Sequence, residues 1–320
     1  MVMSKRQVLT CDLLLKEFLH RDTPVLQTRK LRFADVGDRD VYNITAPFEV
    51  CGETVLAGRV EARDSEDSNV VFFVERDGVW RIRPDAPVLR LQDPFFTRIG
   101  DTLIVGGVET FPDPARPGAL KWRTVFYRGP RLEELQPFFT GPDGMKDIRL
   151  VDLKEDGIGI FTRPQGAKGG RGKIGFIRVP SIDDLTQELI GEAPLLHDQF
   201  AEGEWGGVNE AHLLANGLVG VLGHIARFDD EGNRHYYPMI FALDPEHGVY
   251  SDIQLIAVRD RFAPGPAKRA DLRDVVFSGG LVRNPDGTAA FYAGISDAEA
   301  HCLVIPDPFL PYELHPAKKL

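Results

Sequence analysis

Hydrophobic and polar residues alternate with a period of two along almost the whole chain. The exception is residues 7–21, where Leu9, Leu13, Leu14 and Phe18 recur at helical spacing and predict a short amphipathic helix on the outside of the fold. Further along, short apolar runs rich in β-branched residues are separated by Gly, Asp, Asn and Pro, which is typical of strands and turns. Strands are predicted at residues 40–44, 55–62, 69–76, 80–82, 88–110 (a hairpin), 121–128, 148–153, 157–163, 173–179, 212–215, 218–228, 237–244, 253–257, 275–282, 289–295 and 301–305.

Residues 88–110 are the stretch around which we expect the other strands to be arranged. Their apolar runs flank a Gly100-Asp101 turn, which predicts a β-hairpin. Asp93 precedes Pro94, and proline favours extended geometry in the residue before it and cannot donate to a strand ladder. We therefore predict that the Asp93 carboxylate lies at a corner where a sheet ends and a cavity begins. A plain Asp-Pro turn is the alternative.

The spacing of the strands predicts an all-β fold: a sandwich, a barrel or a propeller. About sixteen to twenty strands would suit four or five four-stranded blades. Because no linker-like segment divides the sequence, we predict a single domain over residues 1–320, with residues 1–25 packing on it as an N-terminal extension. The Gly-rich run at residues 166–172 is predicted to be a mobile loop over a site.

Composition argues against several classes of partner. Mean hydropathy is -0.18, and no segment approaches the ~18 apolar residues of a membrane span. The first residues lack the continuous apolar region of an export signal, so we expect a cytoplasmic protein with no membrane partner.

A net charge of -10 opposes binding to nucleic acid. Cys11, Cys51 and Cys302 are odd in number and are not combined with His at metal-ligand spacing, so neither a disulfide nor a metal site is predicted. The oligomeric state stays open.

Short motifs follow one another in a fixed order between residues 42 and 297. They are Tyr42-Asn43, Val55-Leu-Ala-Gly-Arg59, Ser68-Asn69, Asp77-Gly78, Gln92-Asp-Pro-Phe95, Met145-Lys-Asp147, Phe161-Thr-Arg-Pro164, Gly223-His224, Val275-Val-Phe-Ser-Gly-Gly280 and Phe291-Tyr-Ala-Gly-Ile-Ser-Asp297. In this order they resemble the motifs of glycoside hydrolase family 130, the β-mannoside phosphorylases and their hydrolytic relatives. The resemblance is closer to a branch catalogued as a domain of unknown function. It implies a five-bladed β-propeller with a short N-terminal helical segment, and a small carbohydrate as substrate.

The resemblance also implies roles for individual residues. Asp93 matches the family's proton donor. Phosphate binding is implied for Lys146, Arg163 and His224. The residues with an implied role in binding the sugar are Asn43, Arg59, Asp147, Tyr292 and Asp297.

Three positions depart from the family pattern. Gln92 and Phe95 stand where the family has the Glu and Arg that flank its Asp, and Thr162 replaces the His before the phosphate-binding Arg. These departures affect which sugar is bound, the surroundings of the Asp93 carboxyl group and the binding of phosphate. For His224 and Tyr292, each on an apolar strand, a role in the core is the alternative.

The chemistry leaves three functions open. Inverting cleavage of a glycoside needs one acid to protonate the leaving oxygen, and then either a carboxylate that activates water or a phosphate that attacks directly. Phosphorolysis needs Asp93 and a cationic cradle, with inorganic phosphate as co-substrate and no other cofactor. Hydrolysis needs a second carboxylate, for which Glu210 or Asp147 is the candidate. The third hypothesis is a propeller that binds a sugar without catalysing a reaction. Trp205, followed by two glycines, is predicted to lie in a loop that stacks on a sugar.

Overall fold

The computed structural model describes residues 8–314, and β-strands are their main secondary structure. The strands are β1 (Gln27–Lys30), β2 (Asp40–Tyr42), β3 (Phe48–Val50), β4 (Glu53–Glu61), β5 (Asn69–Arg76), β6 (Val79–Ile82), β7 (Gln92–Ile99), β8 (Thr102–Pro112), β9 (Leu120–Gly129), β10 (Gln136–Thr140), β11 (Arg149–Asp152), β12 (Ile158–Thr162), β13 (Gly175–Val179), β14 (Trp205–Leu213), β15 (Val219–Phe228), β16 (Arg234–Asp244), β17 (Val249–Tyr250), β18 (Gln254–Leu255), β19 (Asp274–Arg283), β20 (Thr288–Ile295) and β21 (Glu299–Pro306). The helices are α1 (Cys11–Arg21), α2 (Gly166–Gly169), α3 (Gln187–Glu192) and α4 (Leu310–Leu314), and 3-10 turns lie at Leu132–Glu134, Lys154–Asp156, Ile182–Asp184, Arg259–Arg261 and Ala270–Leu272. The all-β prediction with a short N-terminal helix is confirmed.

Helix α1 packs its apolar side on the sheet that contains β15 and β16. Thr10 caps its start by accepting a hydrogen bond from the backbone N–H of Leu13 (3.3 Å). Leu14 and Phe18 are buried in the same apolar cluster as Ile225. The amphipathic pattern thus predicted the helix and the burial of Leu14 and Phe18, whereas Leu13 is 43% exposed. Residue 7, where the predicted helix began, lies outside the described residues.

In residues 8–314 the strands form four sheets. Their orders are β2-β4-β5-β6 with β3 beside β4, then β10-β9-β8-β7, then β11-β12-β13, and finally β1-β21-β20-β19-β16-β15-β14 with β17 and β18 beside β16. The last sheet divides naturally into two antiparallel groups, because β16 and β19 are parallel and pair only through His235 with Asp274 and Tyr236 with Val275. The described chain therefore contains five antiparallel groups of strands.

Strand β1 was not predicted. It has the sequence Gln-Thr-Arg-Lys with all four residues exposed, so it carries no hydrophobic pattern. It pairs antiparallel with β21, from Gln27 opposite Val304 to Lys30 opposite His301. The beginning of the described chain thus completes the group formed by its last three strands.

The predicted hairpin is present as β7 and β8, joined at Gly100-Asp101. Two details differ from the prediction. Residues 88–91 contribute only an isolated bridge, Leu89 to Val70, and Asp93 lies within β7 instead of at a corner between two strands. The ladder between β7 and β8 is interrupted there by an irregularity between Gln92 and Phe95. A bulge of this kind redirects a side chain without ending the strand.

Candidate active site

A cavity of about 230 Å³ lies where several groups of strands come together, and most of its lining is polar or charged. Asn43 directly follows β2, Asp93 lies in β7, Asp147 precedes β11 and His224 lies in β15. The lining residues are Asn43, Arg59, Glu66, Gln92, Asp93, Lys146, Asp147, Arg163, His224, Arg234, Tyr236, Arg269, Leu272, Val275, Phe277 and Asp297. The structure therefore brings together all the residues singled out in the sequence except Glu210 and Tyr292.

The backbone of the cavity is strained at several of its carboxylate and amide residues. Positive φ is shared by Asn43 (43°), Asp93 (48°), Asp147 (59°) and Asp297 (50°). Asn and Asp tolerate this left-handed region better than other side chains, but each instance still has a cost of about 1–3 kcal/mol. Such strain clusters at functional sites, where it aims side chains that a regular strand would direct elsewhere.

Asp93 is held by two donors on one of its oxygens. Its Oδ1 accepts hydrogen bonds from Asn43 Nδ2 (2.8 Å) and from Arg59 Nη1 (3.2 Å), and the residue is 6% exposed. Its Oδ2 is left for a ligand or a proton. Phe95 packs against Phe126 and beneath the guanidinium of Arg149, so the aromatic ring that stands where the family has Arg lies outside the cavity lining.

Arg59 is in turn fixed by a buried glutamate that sequence reasoning missed. Glu61 Oε2 accepts from Arg59 Nη2 (2.8 Å), and Glu61 Oε1 accepts from Tyr42 Oη (2.6 Å) and from Lys268. Burial opposes ionisation of Glu61, but Arg59 and Lys268 outweigh it and keep its pKa below the usual range. Residues two apart in a strand share a face, so the Arg59-Val-Glu61 spacing was the available signal.

Asp297 is the carboxyl group most easily protonated near neutral pH. Burial raises its pKa to about 6; Arg59 opposes the shift and the neighbouring Asp93 carboxylate adds to it. Two carboxyl groups that share a confined space cannot both ionise freely. Asp297 and Asp93 are thus coupled through the same cavity.

The raised pKa of Asp297 predicts how the stability of the protein depends on pH. An unfolded chain ionises Asp297 near pH 4, whereas the folded chain keeps its proton up to about pH 6, so folding becomes less favourable as pH rises through that window. Compared with Asp297→Asn, the wild type should lose roughly 2 to 3 kcal/mol of unfolding free energy between pH 4 and pH 7. Urea denaturation of both proteins at pH 4, 5, 6 and 7 measures this. If the difference in unfolding free energy between the wild type and Asp297→Asn were the same at all four pH values, the buried environment assigned to Asp297 would be wrong.

Asp147, Arg163 and Lys146 form another part of the cavity lining, called here the cationic wall. Arg163 Nη1 lies 3.4 Å from Asp147 Oδ2. Burial disfavours the Asp147 carboxylate, but Arg163 and Lys146 outweigh it and hold its pKa at about 2. Arg163 donates from Nε to the Gly206 carbonyl (2.8 Å) and from Nη2 to the Arg171 carbonyl (3.3 Å), which fixes its plane.

Two groups of this wall have unused hydrogen-bonding capacity. Arg163 Nη1 is buried and has no hydrogen-bond acceptor among the described residues. Within residues 8–314 the ammonium of Lys146 likewise has neither a hydrogen bond nor an ion pair, although it lines the cavity and its charge is felt by Asp147 and His224. Donors of this kind can bind an anion through charge-assisted hydrogen bonds.

His224 is neutral in this site. Burial lowers its pKa to about 3, and the charges of Arg163 and Lys146 outweigh the attraction of Asp147. Its Nδ1 lies 2.8 Å from Asn209 Oδ1 and therefore donates to it, which leaves Nε2 as an acceptor. His224 can accept a hydrogen bond from a ligand hydroxyl, but it supplies no positive charge to an anion.

Glu210 and Tyr292 do not join the cavity. The ladder of β14 shifts between Val208 and Glu210, and the Glu210 carboxylate instead accepts from the backbone N–H of Leu281 (2.7 Å) and contacts His212 (2.8 Å). Tyr292 is buried in an apolar cluster with Ile44 and Cys302. Tyr292 therefore occupies the core position given as its alternative, and the bulge in β14 directs Glu210 away from the cavity.

Two predicted loops have a defined structure. Trp205 lies in strand β14 and not in a loop; it is 4% exposed, donates from Nε1 to Tyr236 Oη (3.1 Å) and lines a second cavity of about 270 Å³. Gly207 is required there because a Cβ would come within 2.7 Å of Arg163 Cδ. In the Gly-rich run, Lys168 donates to the Gly191 and Ala193 carbonyls (both 2.7 Å), so this loop is tied to its neighbour.

Residues 8–314 hold no group of three or more His, Cys, Asp or Glu side chains arranged to bind a metal ion. They also contain no helix with the length and apolar character needed to cross a membrane.

Residues 17–311 match the family described as protein of unknown function (DUF1861). A comparison with curated proteins found no match. Among solved structures, the chain is similar to MPT-4, a mannose phosphorylase from Leishmania mexicana in complex with phosphate ion, with 33% identity, 96% of each chain covered and a TM-score of 0.85.

Two further structures extend the comparison. MPT-1, a GDP-Man-dependent mannosyltransferase from Leishmania mexicana, is 31% identical over 94% of this chain and 95% of its own, with a TM-score of 0.84. The β-1,2-mannobiose phosphorylase from Listeria innocua is 15% identical over 92% of this chain and 96% of its own, with a TM-score of 0.62. The second likeness is one of fold alone.

Proposed function

We propose that this chain, which belongs to the DUF1861 family and is a divergent relative of glycoside hydrolase family 130, is a phosphorylase that cleaves a β-mannoside with inversion. The similarity to MPT-4, a mannose phosphorylase in complex with phosphate, supports the reaction class. On this proposal the five antiparallel groups of strands are the five blades of a propeller that forms one domain over residues 1–320. The substrate is a small carbohydrate, inorganic phosphate is the co-substrate and no other cofactor takes part.

One observation carries the proposal. A single cavity contains a carboxyl group fixed on one oxygen, Asp93, and the ammonium of Lys146, which has no partner in residues 8–314, together with the buried guanidinium of Arg163. Inverting phosphorolysis needs only one protein acid and a cationic site for the attacking phosphate. Of the other carboxyl groups of the cavity, Asp147 pairs with Arg163, Glu66 accepts a hydrogen bond from Arg59, and Asp297 has its pKa raised to about 6 by burial.

The proposed reaction uses the two walls for different steps. A phosphate oxygen, bound by Lys146 and Arg163, attacks the anomeric carbon and forms the new C–O bond as the glycosidic C–O bond breaks. Asp93 Oδ2 gives its proton to the leaving oxygen, which departs as an alcohol. The products are a mannose 1-phosphate of inverted configuration and the shortened acceptor. In the synthetic direction Asp93 takes the proton back from the acceptor hydroxyl.

The hydrolytic alternative lacks a suitable base among the residues first considered for it. Glu210 is engaged with Leu281 and His212 away from the cavity. Asp147 has a pKa of about 2 and lies beside Arg163, which makes it a weak base. Asn43, Arg59, Asp147 and Asp297 are proposed to bind the sugar, and neutral His224 to accept one of its hydroxyls.

The test is to incubate the protein with a panel of β-mannosides and other glycosides, with and without inorganic phosphate. Release of mannose 1-phosphate that requires phosphate is the expected result. Equal release of free sugar without phosphate would replace the proposal by hydrolysis, and silence across the panel would favour a binding protein. In the synthetic direction, mannose 1-phosphate and GDP-mannose should both be offered as donors, because MPT-1 is GDP-Man-dependent; turnover of GDP-mannose alone would overturn the phosphorylase proposal.

A further inference from the structure

The ring of His224 is fixed between two aromatic rings. It is stacked on Tyr236, with ring centroids 5.4 Å apart and an interplanar angle of 21°, and on Phe277, at 6.1 Å and 30°. On strand β14 the residue opposite His224 is Gly207, where a Cβ would come within 3.1 Å of His224 Cε1. The imidazole therefore has little freedom to turn, and its two nitrogens keep different surroundings.

The residue beside His224 Nδ1 is Asn209, which lies in strand β14 and does not line the cavity. Asn209 is 3% exposed and is the extra residue at the point where the ladder shifts between Val208 and Glu210. Its backbone carbonyl accepts a hydrogen bond from Arg149 Nε (2.8 Å), which anchors the bulge. The irregularity that directs Glu210 away from the cavity thus also places the Asn209 side chain against His224.

The side-chain amide of Asn209 is only half used. Its Oδ1 accepts from His224, but its Nδ2 is buried and has no hydrogen-bond acceptor within residues 8–314. A buried donor without a partner is destabilising, and one that is retained calls for an explanation. An aspartate at this position would have no such donor, but its negative charge would favour the cationic imidazolium. The amide therefore supplies an acceptor for the imidazole N–H without adding a charge.

The charged groups around His224 keep the ring neutral. Asp147 favours the imidazolium, whereas burial and the charges of Arg163, Lys146 and Arg149 oppose it. A neutral imidazole carries its proton on one nitrogen only, and the other nitrogen is then an acceptor. Among the described residues Nε2 has no hydrogen-bond partner, and His224 lines the cavity. Which nitrogen carries the proton thus decides whether the cavity meets an acceptor or a donor.

We propose that Asn209 is a positioning residue: by holding the proton of His224 on Nδ1, it reserves Nε2 as an acceptor for a sugar hydroxyl and leaves the phosphate to Lys146 and Arg163. This inference rests on the proposed function, since it states how the same site keeps its two substrates apart. An imidazole with its proton on Nε2 would donate to a phosphate oxygen and could no longer accept from a hydroxyl.

The first measurement is the protonation state of His224 near neutral pH. Long-range ¹H–¹⁵N spectra of the full-length protein, labelled at its eight histidines, distinguish the two tautomers and the imidazolium, and His224→Gln identifies the relevant signals. We expect the proton on Nδ1 in the wild type. Asn209→Leu removes the acceptor and should move the proton to Nε2, because a buried N–H without a partner is unfavourable. A wild type with its proton on Nε2, or an Asn209→Leu variant with unchanged His224 signals, would overturn the inference.

The second measurement is the pair of KM values in Asn209→Asp, whose carboxylate should turn His224 into a cationic donor. The KM for the mannoside should rise about tenfold, the equivalent of one hydrogen bond, while the KM for phosphate should fall. A general loss of structure cannot move the two values in opposite directions. Asn216→Asp is the control: it lies in the turn of the same hairpin, its Oδ1 can still accept from the Leu218 N–H (3.2 Å), and both KM values should stay within about twofold of wild type.

Failure of this inference can be told apart from failure of the proposed function. If both KM values of Asn209→Asp rise together, Asn209 has only a structural role and the inference is wrong, although phosphorolysis stands. If no mannoside is phosphorolysed, the proposed function fails, and the spectra still decide the tautomer. Calorimetric binding of inorganic phosphate and of methyl β-mannoside then replaces the kinetics. Tighter phosphate with weaker mannoside binding in Asn209→Asp supports the inference, and a parallel weakening of both overturns it.

Discussion

Asp93→Asn should reduce turnover of an unactivated β-mannoside by about 10²- to 10⁴-fold, the usual contribution of a general acid. Asn can still accept hydrogen bonds from Asn43 and Arg59 at the retained oxygen, so the position of the side chain should be preserved. What the variant loses is the proton at Oδ2. The measurement is kcat/KM for phosphorolysis, with a thermal melt to verify folding.

The leaving group separates acid catalysis from a structural role. With a 4-nitrophenyl mannoside the leaving oxygen needs little protonation, so Asp93→Asn should lose much less activity on that substrate. Glu210→Gln is the matched control, because its amide oxygen can still accept from the Leu281 N–H and the residue lies outside the cavity. Equal losses of Asp93→Asn on both substrates would remove the general-acid role, and a collapse of Glu210→Gln would revive hydrolysis through that carboxylate.

Lys146→Met should raise the KM for phosphate by roughly 10- to 100-fold, because a hydrogen bond to a charged group contributes about 1.5–3 kcal/mol. Met keeps most of the length and apolar stem of lysine. Because the ammonium has no ion-pair partner in residues 8–314, its removal leaves no described carboxylate stripped of a hydrogen bond. The KM for the sugar should change little, since within residues 8–314 Lys146 has no hydrogen bond to any residue proposed to bind the sugar.

Arg163 is the poorer variant for this test. Its guanidinium bonds the Gly206 and Arg171 carbonyls and neutralises Asp147, so Arg163→Ala would leave a buried carboxylate with a lost partner and threaten folding. Lys168→Met is the matched control for Lys146→Met, because Lys168 bonds carbonyls outside the cavity. If Lys146→Met raised the KM for sugar and phosphate equally, the anion site would have to be sought elsewhere in the cavity.

Local sequence patterns were sufficient to predict a structural feature where that feature depends only on residues close together in the chain. The alternation of apolar residues and the Gly100-Asp101 turn predicted the β7–β8 hairpin, and helical spacing predicted the buried side of α1. The order of short motifs indicated most of the residues that line the inner cavity. By contrast, β1 consists of exposed polar residues and owes its conformation entirely to pairing with β21.

Two of the predicted roles depended on features of strand β14 that the local sequence does not show. The shift between Val208 and Glu210 turned a predicted catalytic carboxylate towards Leu281. Trp205 was predicted to lie in a loop because two glycines follow it, yet both glycines are needed within the strand. A Cβ at Gly206 would come within 2.4 Å of the His224 carbonyl oxygen, and one at Gly207 within 2.7 Å of Arg163 Cδ.

By itself, the sequence determined an all-β chain, a terminal helix and a set of polar residues able to bind a sugar and an anion, because periodicity and residue chemistry are local properties. Only the tertiary structure decided how these residues are paired. Glu61 holds Arg59, burial raises the pKa of Asp297 and lowers that of His224, and Lys146 has no hydrogen-bond or ion-pair partner in the described chain. Charge, protonation and free hydrogen-bonding capacity depend on distances between side chains from different groups of strands, and those distances exist only after the sheets have packed.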